Sequence, residues 1–398
     1  MAISERTAAA IEGGSFIRKM FERGNELRQK YGADAVFDFS LGNPDAAPPA
    51  VFEEKIVEWV RTPGENKYGY MSNAGHQEAR EAVAARVSAE QNTTVPAGCV
   101  VMTCGAGGAL NVVLKTILNP GDEVLAPAPC FMEYRFYTEN HGGVFKTVPC
   151  ASDFDPDIGA LEAAITPRTA ALIINSPNNP SGHIYSQQVL EKLSQMLLRK
   201  QKETGRAVYL ISDEPYRRIV YGGRTVPSLF DKYPHAVVVN SFSKELSIPG
   251  ERLGYIALNP AAEDAERLVA GFILCNRILG FVNAPSLMQR VLARLPQDCG
   301  VDIAIYDRRR KLLCDGLTAI GYEFVEPQGT FYLFVKAPSG DDAADCERLA
   351  QYNILTVPGR GFSYPGYFRI SYCVPDKVIL NALPYFEKAF ADCQKAAK

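Results

Sequence analysis

Residues 170–182 read AALIINSPNNPSG, an apolar run that stops abruptly at asparagine, serine, proline and glycine. An apolar run without alternating polar residues is typical of a strand that is buried on both faces of a parallel sheet. In such sheets ligands bind beyond the carboxyl ends of the strands, where the polar loop after this run would lie. The stretch therefore predicts an α/β fold with a site at that edge.

Further apolar runs alternate with segments of helical periodicity on both sides of this stretch, which favours a mainly parallel sheet flanked by helices. One helix is predicted from residue 186 to about residue 203, with Ser186 as its N-cap. The predicted strands are residues 100–103, 123–126, 170–175, 207–213, 236–241 and 253–258.

The pattern changes after about residue 283. A long helix is predicted through residue 308, and an amphipathic helix is predicted at the end of the sequence. Between them short strands are predicted at residues 331–334, 354–358 and 367–372. We therefore predict a large domain, residues 48–285, and a smaller α+β domain built from both chain ends, residues 1–47 and 286–398.

The charge balance argues against nucleic acid and membrane partners. The 42 Lys and Arg residues against 45 Asp and Glu residues leave a net charge of −3, and no uncharged apolar run is long enough to cross a bilayer. The first residues lack the apolar core of a signal peptide. The ten cysteines and four histidines show no local zinc-site spacing, and scattered thiols are typical of a reducing compartment. We therefore expect a cytoplasmic protein without a metal site.

A glycine-rich turn, residues 105–110 with the sequence GAGGAL, lies between a predicted strand and a helical segment. Backbone N–H groups at such a helix N-terminus can hold a phosphate group. A dinucleotide site is less well supported, because Leu110 stands where that fingerprint needs its last glycine. Taken alone, the motif is equally compatible with a turn that binds nothing.

A lysine follows two hydroxyl residues at a predicted strand end, in Ser241-Phe242-Ser243-Lys244. Most lysines are solvated surface charges. A lysine enclosed near other cations, however, can lose its proton and attack a carbonyl group. Ser241 and the nearby Arg252 could bind the same phosphate as the glycine-rich turn.

Asp213 ends another predicted strand, in the stretch SDEPY of residues 212–216. A buried carboxylate is costly without a positive partner, and a protonated pyridine nitrogen would be such a partner. The structural alternatives are an ordinary helix cap for Asp213 and a core phenol for Tyr216.

These stretches, in this order, resemble the class I and II aminotransferases, the fold-type I enzymes that use pyridoxal phosphate, and in particular their aspartate aminotransferase-like members. Residues 175–182, NSPNNPSG, are similar to the family's N-P-x-N-P-T-G stretch, with Ser181 in place of threonine. Residues 241–244, SFSK, with Pro249-Gly250 and Arg252 are similar to its lysine signature. The resemblance covers nearly the whole chain and implies a sheet of the seven-stranded type.

The resemblance implies a site for pyridoxal 5'-phosphate. Lys244 would form the Schiff base and then move a proton, so that it is both tether and base. Asp213 would keep the pyridine nitrogen protonated, and Tyr216 and Asn179 would donate hydrogen bonds to the 3-oxygen of the ring. The phosphate and the ring face would be held by Gly105, Ala106, Gly107, Ser241, Ser243, Arg252 and Phe131.

The resemblance also implies a homodimer. In the family, the tyrosine that matches Tyr70 reaches the phosphate from the neighbouring subunit. Arg369, in the stretch FRIS of residues 368–371, would bind the substrate α-carboxylate in a planar two-bond fork, with Gly42 and Asn179 beside it. Without the resemblance, Arg369 would be interpreted as a strand-edge surface charge.

The implied reaction moves the amino group of an L-amino acid, aspartate or another common one, to a 2-oxo acid. A β-C–S lyase on the same fold would use the same residues. A ligand-binding regulator would carry a DNA-binding domain, for which the N-terminal stretch is too short. A nucleotide-binding oxidoreductase leaves Lys244 and Arg369 without roles.

Some residues stay without an assigned role at this point. Arg277, placed across the subunit boundary, and Arg135 are the candidates for binding a side-chain carboxylate of the substrate, although a structural ion pair is the commoner role of such residues. His183 stands after Pro180-Ser181-Gly182, where an aliphatic residue would be more usual.

Overall fold

Helices and strands alternate through most of the chain in the computed structural model, which describes residues 2–12, 16–32, 35–65 and 67–396. The α-helices in these ranges are α1 (Glu5–Glu12), α2 (Phe16–Tyr31), α3 (Ala50–Arg61), α4 (Gln77–Glu90), α5 (Gly105–Ile117), α6 (Glu133–Asn140), α7 (Ile158–Ala164), α8 (Gln187–Thr204), α9 (Ala265–Ile278), α10 (Ser286–Leu292), α11 (Ile303–Ile320), α12 (Asp342–Gln351) and α13 (Asp376–Ala396). The strands are β1 (Phe37–Asp38), β2 (Val100–Cys104), β3 (Glu123–Ala128), β4 (Val144–Pro149), β5 (Thr169–Asn175), β6 (Tyr209–Asp213), β7 (Ala236–Ser241), β8 (Leu253–Leu258), β9 (Tyr332–Lys336), β10 (Ile354–Leu355), β11 (Val357–Pro358) and β12 (Tyr367–Ser371). None of these helices is long and apolar enough to cross a membrane.

A seven-stranded sheet occupies the centre, with the strand order β2-β8-β7-β6-β5-β3-β4. Strand β8 pairs antiparallel with β2 and β7, whereas the other neighbours run parallel. The predicted fold class, a mainly parallel sheet flanked by helices, is confirmed. The neighbouring strands β5, β6 and β7 end with Asn175, Asp213 and Ser241, so these side chains start at the same edge of the sheet.

Alternate residues of the central strands face different cores. In β5, Leu172 and Ile174 belong to one cluster, whereas Ala171 and Ile173 belong to another. All of them are at most 1% exposed. Because both faces of the strand are covered, its sequence is a continuous apolar run instead of an alternating one.

The helix predicted from residue 186 is confirmed as α8. Ser186 is its N-cap, and its Oγ accepts a hydrogen bond from the N–H of Val189 at 3.2 Å. Gly205 follows the last turn with φ of +71°, the left-handed conformation that commonly ends a helix.

Two features of the fold differ from the sequence-based expectation. Strand β4 is not predicted, because it is an edge strand whose residues alternate between exposed and at least partly buried. The predicted long helix through residue 308 is wrong, since α10 ends at Leu292 and α11 begins at Ile303. Pro296 and Gly300 lie between them, and proline cannot continue the helical hydrogen bonds.

The two ends of the chain meet in a second unit. Strand β1 pairs parallel with β10, and β9, β11 and β12 form an antiparallel sheet in the order β11-β12-β9. Phe39 and Ile354 are fully buried in the core of this unit, which includes residues of α11 and α13. The predicted division into residues 48–285 and the two chain ends stays a prediction.

The loop after β5 packs closely against this second unit. The carbonyl of Gly182 accepts hydrogen bonds from the N–H groups of Gln328 and Gly329, both at 3.0 Å. Gly182 has φ of +70°, and a Cβ there would lie 2.9 Å from the carbonyl oxygen of Gly329 and closer still to Pro327. A side chain at position 182 would therefore strain the backbone and the contact between the units.

We predict that Gly182→Ala lowers the free energy of unfolding by about 2–4 kcal/mol, because it combines an unfavourable φ with a steric overlap. The matched control is Gly205→Ala, which has φ of +71° and no neighbouring atom within 4 Å. The control should cost only about 1 kcal/mol. Denaturant unfolding of both variants measures the difference, and equal losses would show that the packing of the loop is not tight.

Candidate active site

A cavity opens where β5, β6 and β7 end, and it brings most of the predicted site residues together. The last residues of these strands, Asn175, Asp213 and Ser241, all line it. The predicted site residues in its lining are Gly42, Ala106, Gly107, Phe131, Asn179, Asp213, Tyr216, Ser241, Ser243, Lys244, Arg252 and Arg369. Gly105 and Tyr70 are not among its lining residues.

Lys244 is buried in this cavity. Its Nζ donates a hydrogen bond to the carbonyl of Gly42 at 2.7 Å. Burial lowers the pKa of the amine to about 8, and the positive charges of Arg369 and Arg252 act in the same direction. The unprotonated fraction of the amine near neutral pH is therefore much larger than for an ordinary lysine, and only the unprotonated amine can act as a nucleophile or a base.

Asp213 is buried at the end of β6 with one oxygen satisfied and one not. The hydroxyl of Tyr134 donates a hydrogen bond to Oδ2 at 2.6 Å, whereas Oδ1 has no hydrogen-bond partner. Burial raises the pKa of this carboxyl to about 7, and the charge of Glu214 adds to the effect. A buried carboxylate oxygen without a partner is costly, so a cationic donor in the cavity would bind there favourably.

Asn175 orients the loop that carries Asn179. Its Oδ1 accepts the N–H of Asn179 at 2.6 Å, and its Nδ2 donates to the carbonyl of Asp213 at 2.7 Å. The strand end, the acid and the loop are thus held in one hydrogen-bonded unit. The side chain of Asn179 points into the cavity.

Arg369 reaches the cavity from β12. Its Nη1 donates to Oδ1 of Asn179 at 3.0 Å and its Nη2 donates to the carbonyl of Ser40 at 2.6 Å, but its Nε has no hydrogen-bond partner. The residue is 1% exposed, and no acidic side chain of the described residues forms an ion pair with it. An enclosed guanidinium without a carboxylate is suited to bind a carboxylate ligand.

A further part of the cavity lining offers hydrogen-bond donors for an anion. Ala106 and Gly107 lie in the first turn of α5, where the backbone N–H groups have no helical partner. Arg252 lies so close to this turn that a Cβ on Gly105 would be 2.6 Å from its Nη2. Ser241 and Ser243 add hydroxyl groups to the lining of the same cavity. N–H groups, hydroxyls and a guanidinium are the groups that bind a phosphate.

Several predicted residues lie away from this cavity. Tyr70 is 94% exposed and lines a separate surface pocket with Phe281. Arg135 pairs with Glu139 at 2.8 Å, which is the structural alternative, and it does not line the active-site cavity. Arg277 is exposed near the end of α9 and is also outside the cavity lining.

His183 has a structural partner. Its Nε2 forms a hydrogen bond with Oδ1 of Asp155 at 2.7 Å, and its carbonyl accepts the N–H of Asn178. The residue therefore ties the loop before α8 to the turn that follows β4.

Sequence reasoning missed Tyr134 and a set of paired charges behind the cavity. Glu214 and Glu245 directly follow Asp213 and Lys244, and both are buried. Two arginines and a third glutamate link these two carboxylates in one series of ion pairs, and a further arginine ends the series at Glu245. The series supports the backbone of both cavity residues. The order along the series is Arg86, Glu245, Arg218, Glu90, Arg217 and Glu214. Arg217 lies three residues after Glu214, but the other pairs join segments that are far apart along the chain, so the local sequence does not mark them.

A buried lysine, a buried carboxyl group and two arginines share one cavity at the edge of the sheet, which is the arrangement of an enzyme active site. Comparison with known proteins identifies the family. The pattern of the family described as aminotransferase class I and II matches residues 34–386. The chain is 33% identical over 375 residues to a probable aspartate/prephenate aminotransferase from Thermus aquaticus, with 92% of this chain and 94% of that protein covered.

Solved structures agree with this result. An amino transferase from Eubacterium rectale has a TM-score of 0.95 and 38% identity, with 98% of this chain and 99% of that one covered. The aspartate aminotransferase from Thermus thermophilus with maleate has a TM-score of 0.85 and 29% identity, with 97% and 99% covered. The chain belongs to the class I and II aminotransferases. It is a transaminase, and the lyase alternative is not favoured by these relatives.

The burial of Asp213 predicts a pH-dependent stability cost in the cofactor-free protein. The folded pKa of about 7 lies above the ordinary value of 3.8, so the cost grows as pH rises from about 4 to 7 and then stays constant. Asp213→Asn removes it, and the variant should gain roughly 3 kcal/mol more stability over wild type at pH 8 than at pH 5. Urea unfolding at both pH values measures this gain. A gain that is the same at both would contradict the buried, destabilised carboxylate.

Proposed function

We propose that this aminotransferase uses pyridoxal 5'-phosphate to move the amino group of an L-amino acid, aspartate or another common one, to a 2-oxo acid. The observation that carries the proposal is the buried Oδ1 of Asp213 without a partner, in the same cavity as the buried amine of Lys244. A cofactor with a cationic pyridine ring and an aldehyde group would give Asp213 a hydrogen-bond donor and would give the Lys244 amine a carbonyl group to bind.

The cavity residues fit this cofactor along its whole length. Asp213 would accept a hydrogen bond from the ring nitrogen and keep it protonated. Asn179 and Tyr216 would donate to the 3-oxygen, and Phe131 would stack on the ring. The phosphate would be held by the Ala106 and Gly107 N–H groups, Ser241, Ser243 and Arg252, with Gly105 leaving room for the arginine.

When bound, the cofactor supplies an aldehyde that captures amines and a cationic ring that accepts the electrons released at the substrate α-carbon. Lys244 would tether it and, once displaced by the substrate amine, would move a proton between that α-carbon and the neighbouring carbon of the cofactor. The pKa of about 8 suits this task, because the amine can both take and release a proton near neutral pH.

Arg369 would bind the substrate α-carboxylate. Its guanidinium is buried and its Nε has no hydrogen-bond partner, so an anion would satisfy both its charge and its free N–H group. Gly42 would border the carboxylate, since its carbonyl already lies 2.7 Å from the Lys244 amine.

Among the described residues, the cations that line the cavity are Lys244, Arg252 and Arg369, so a second substrate carboxylate would need a cation from another subunit. Arg277 is our candidate, because it is exposed and forms no ion pair with any of the described residues.

We also propose that the active protein is a homodimer with Tyr70 placed across the interface. Tyr70 and Tyr68 are 94% and 68% exposed, which is unusual for large aromatic side chains in a monomer. Exposed apolar residues also occur on α3 and α9, including Val60 at 52% and Ile278 at 56%. A second copy of the chain would cover such surfaces.

Two further proposals concern organisation and compartment. We propose that residues 48–285 form the large domain and that residues 1–47 and 286–398 form the small one, supported by the separate sheets and cores. We propose a cytoplasmic location, because all ten cysteines are free thiols, as is typical of a reducing compartment.

We predict that mixing the cofactor-loaded protein with each common amino acid converts the cofactor to its amine form, with aspartate among the effective donors. Visible absorbance follows the conversion, and an assay for ammonia and pyruvate separates transamination from elimination.

Lys244→Ala should bind the cofactor without a covalent bond and lose turnover by roughly a thousandfold or more. Wild-type protein that stays colourless with added cofactor, or borohydride labelling at another residue, would overturn the proposal.

A hybrid experiment tests the position of Tyr70. Subunits carrying Lys244→Ala are mixed with subunits carrying Tyr70→Ala, each inactive or nearly so alone. If Tyr70 acts across the interface, each hybrid dimer has one intact site, and random mixing should recover about a quarter of wild-type activity. If Tyr70 serves its own subunit, every site keeps a defect and no activity returns.

A further inference from the structure

Tyr332, the first residue of β9, contacts both Tyr216, which we assign to the cofactor ring, and Arg369, which we assign to the substrate carboxylate. It is 3% exposed and lines the cavity. Its hydroxyl is 3.1 Å from the hydroxyl of Tyr216, and the guanidinium carbon of Arg369 is 4.4 Å from the centre of its ring. A Cβ on Gly42 would overlap the same hydroxyl, so the backbone that accepts the Lys244 amine also lies against Tyr332.

We propose that Tyr332 is a positioning residue for the transamination site: its hydroxyl donates to Tyr216 and strengthens the Tyr216 hydrogen bond to the cofactor 3-oxygen, while its ring orients Arg369. No part of the sequence analysis singled out this residue. The proposal rests on the proposed function, since it concerns the same cofactor site.

The direction of the hydrogen bond follows from counting protons. A phenol has one O–H donor and two acceptor lone pairs. If Tyr216 donates its only proton to the 3-oxygen, the contact with Tyr332 must be donated by Tyr332. Burial raises the pKa of both tyrosines, so both stay protonated and able to donate. Successive hydrogen bonds polarise one another, and the donation by Tyr332 therefore makes Tyr216 a better donor.

The ring contact acts on the other end of the cavity. The guanidinium of Arg369 lies near two aromatic rings, with its carbon 4.4 Å from the centre of Tyr332 and 5.0 Å from that of Phe362. Cation–π attraction is stronger for a desolvated arginine, and this one is 1% exposed. The rings restrict the tilt of the guanidinium plane, which sets the direction of its fork toward a carboxylate.

The test separates the hydroxyl from the ring. Tyr332→Phe keeps the ring and removes the hydroxyl. A donor to the 3-oxygen stabilises its negative charge and lowers the proton affinity of the linked nitrogen, so weakening this donor should raise the pH midpoint at which the visible band of the loaded protein titrates. We expect an upward shift of about half a pH unit, from the usual strength of one hydrogen bond. The same change in a Tyr216→Phe background should add nothing, because the effect passes through Tyr216.

Tyr332→Leu tests the ring, and it should raise the KM for the amino acid roughly tenfold, more than Tyr332→Phe does. The matched control is Tyr372→Phe, which removes a buried hydroxyl that contacts Tyr221 outside the cavity and should leave the midpoint unchanged. An unshifted midpoint in Tyr332→Phe, or an equal shift in the Tyr216→Phe background, would overturn the inference. In either case a titrating band in wild-type protein would still support the proposed function. A wild-type protein without such a band would overturn both.

Discussion

The site depends on one unfavourable arrangement, a carboxylate buried at the end of a strand with one oxygen lacking a hydrogen-bond partner. Asp213 reaches this position because β6 is central in the sheet and is covered on both faces. The protein therefore holds a group whose charge is poorly compensated until a cation arrives. The fold therefore favours the binding of a cationic ligand at this carboxylate, at a cost in the stability of the protein without that ligand.

The remaining parts of the site are arranged around that carboxylate by hydrogen bonds that cross between elements. Asn175 links the backbone of Asp213 to the loop of Asn179, and Asn179 in turn accepts from Arg369 of the second unit. The buried ion pairs behind the cavity support the residues that follow Asp213 and Lys244. Buried ion pairs of this kind add little net stability, because desolvation offsets much of their attraction, but removing one partner would leave a buried charge unpaired. The positions of Asp213, Lys244 and Arg369 are thus decided jointly.

Much of the fold could be predicted because buried strands appear in the sequence as runs of apolar residues. Strands covered on both faces are rich in apolar residues along most of their length, as residues 170–174 of β5 and 236–239 of β7 show. The edge strand β4 has no such requirement and was missed. The helix predicted through residue 308 was wrong, because helical periodicity on both sides of Pro296 hides the break that the proline causes.

By itself, the sequence determined the fold class and the residues that end β5, β6 and β7, since apolar runs and the polar residues after them are local features. The resemblance to a family added the expected roles of Lys244, Asp213 and Arg369. Only the tertiary structure decided which groups satisfy one another, such as Tyr134 with Asp213 and Tyr332 with Tyr216. It also placed Arg135 and Tyr70 outside the cavity of their own chain. The physical reason is that hydrogen bonds and desolvation depend on distance in space, and these partners are far apart along the chain.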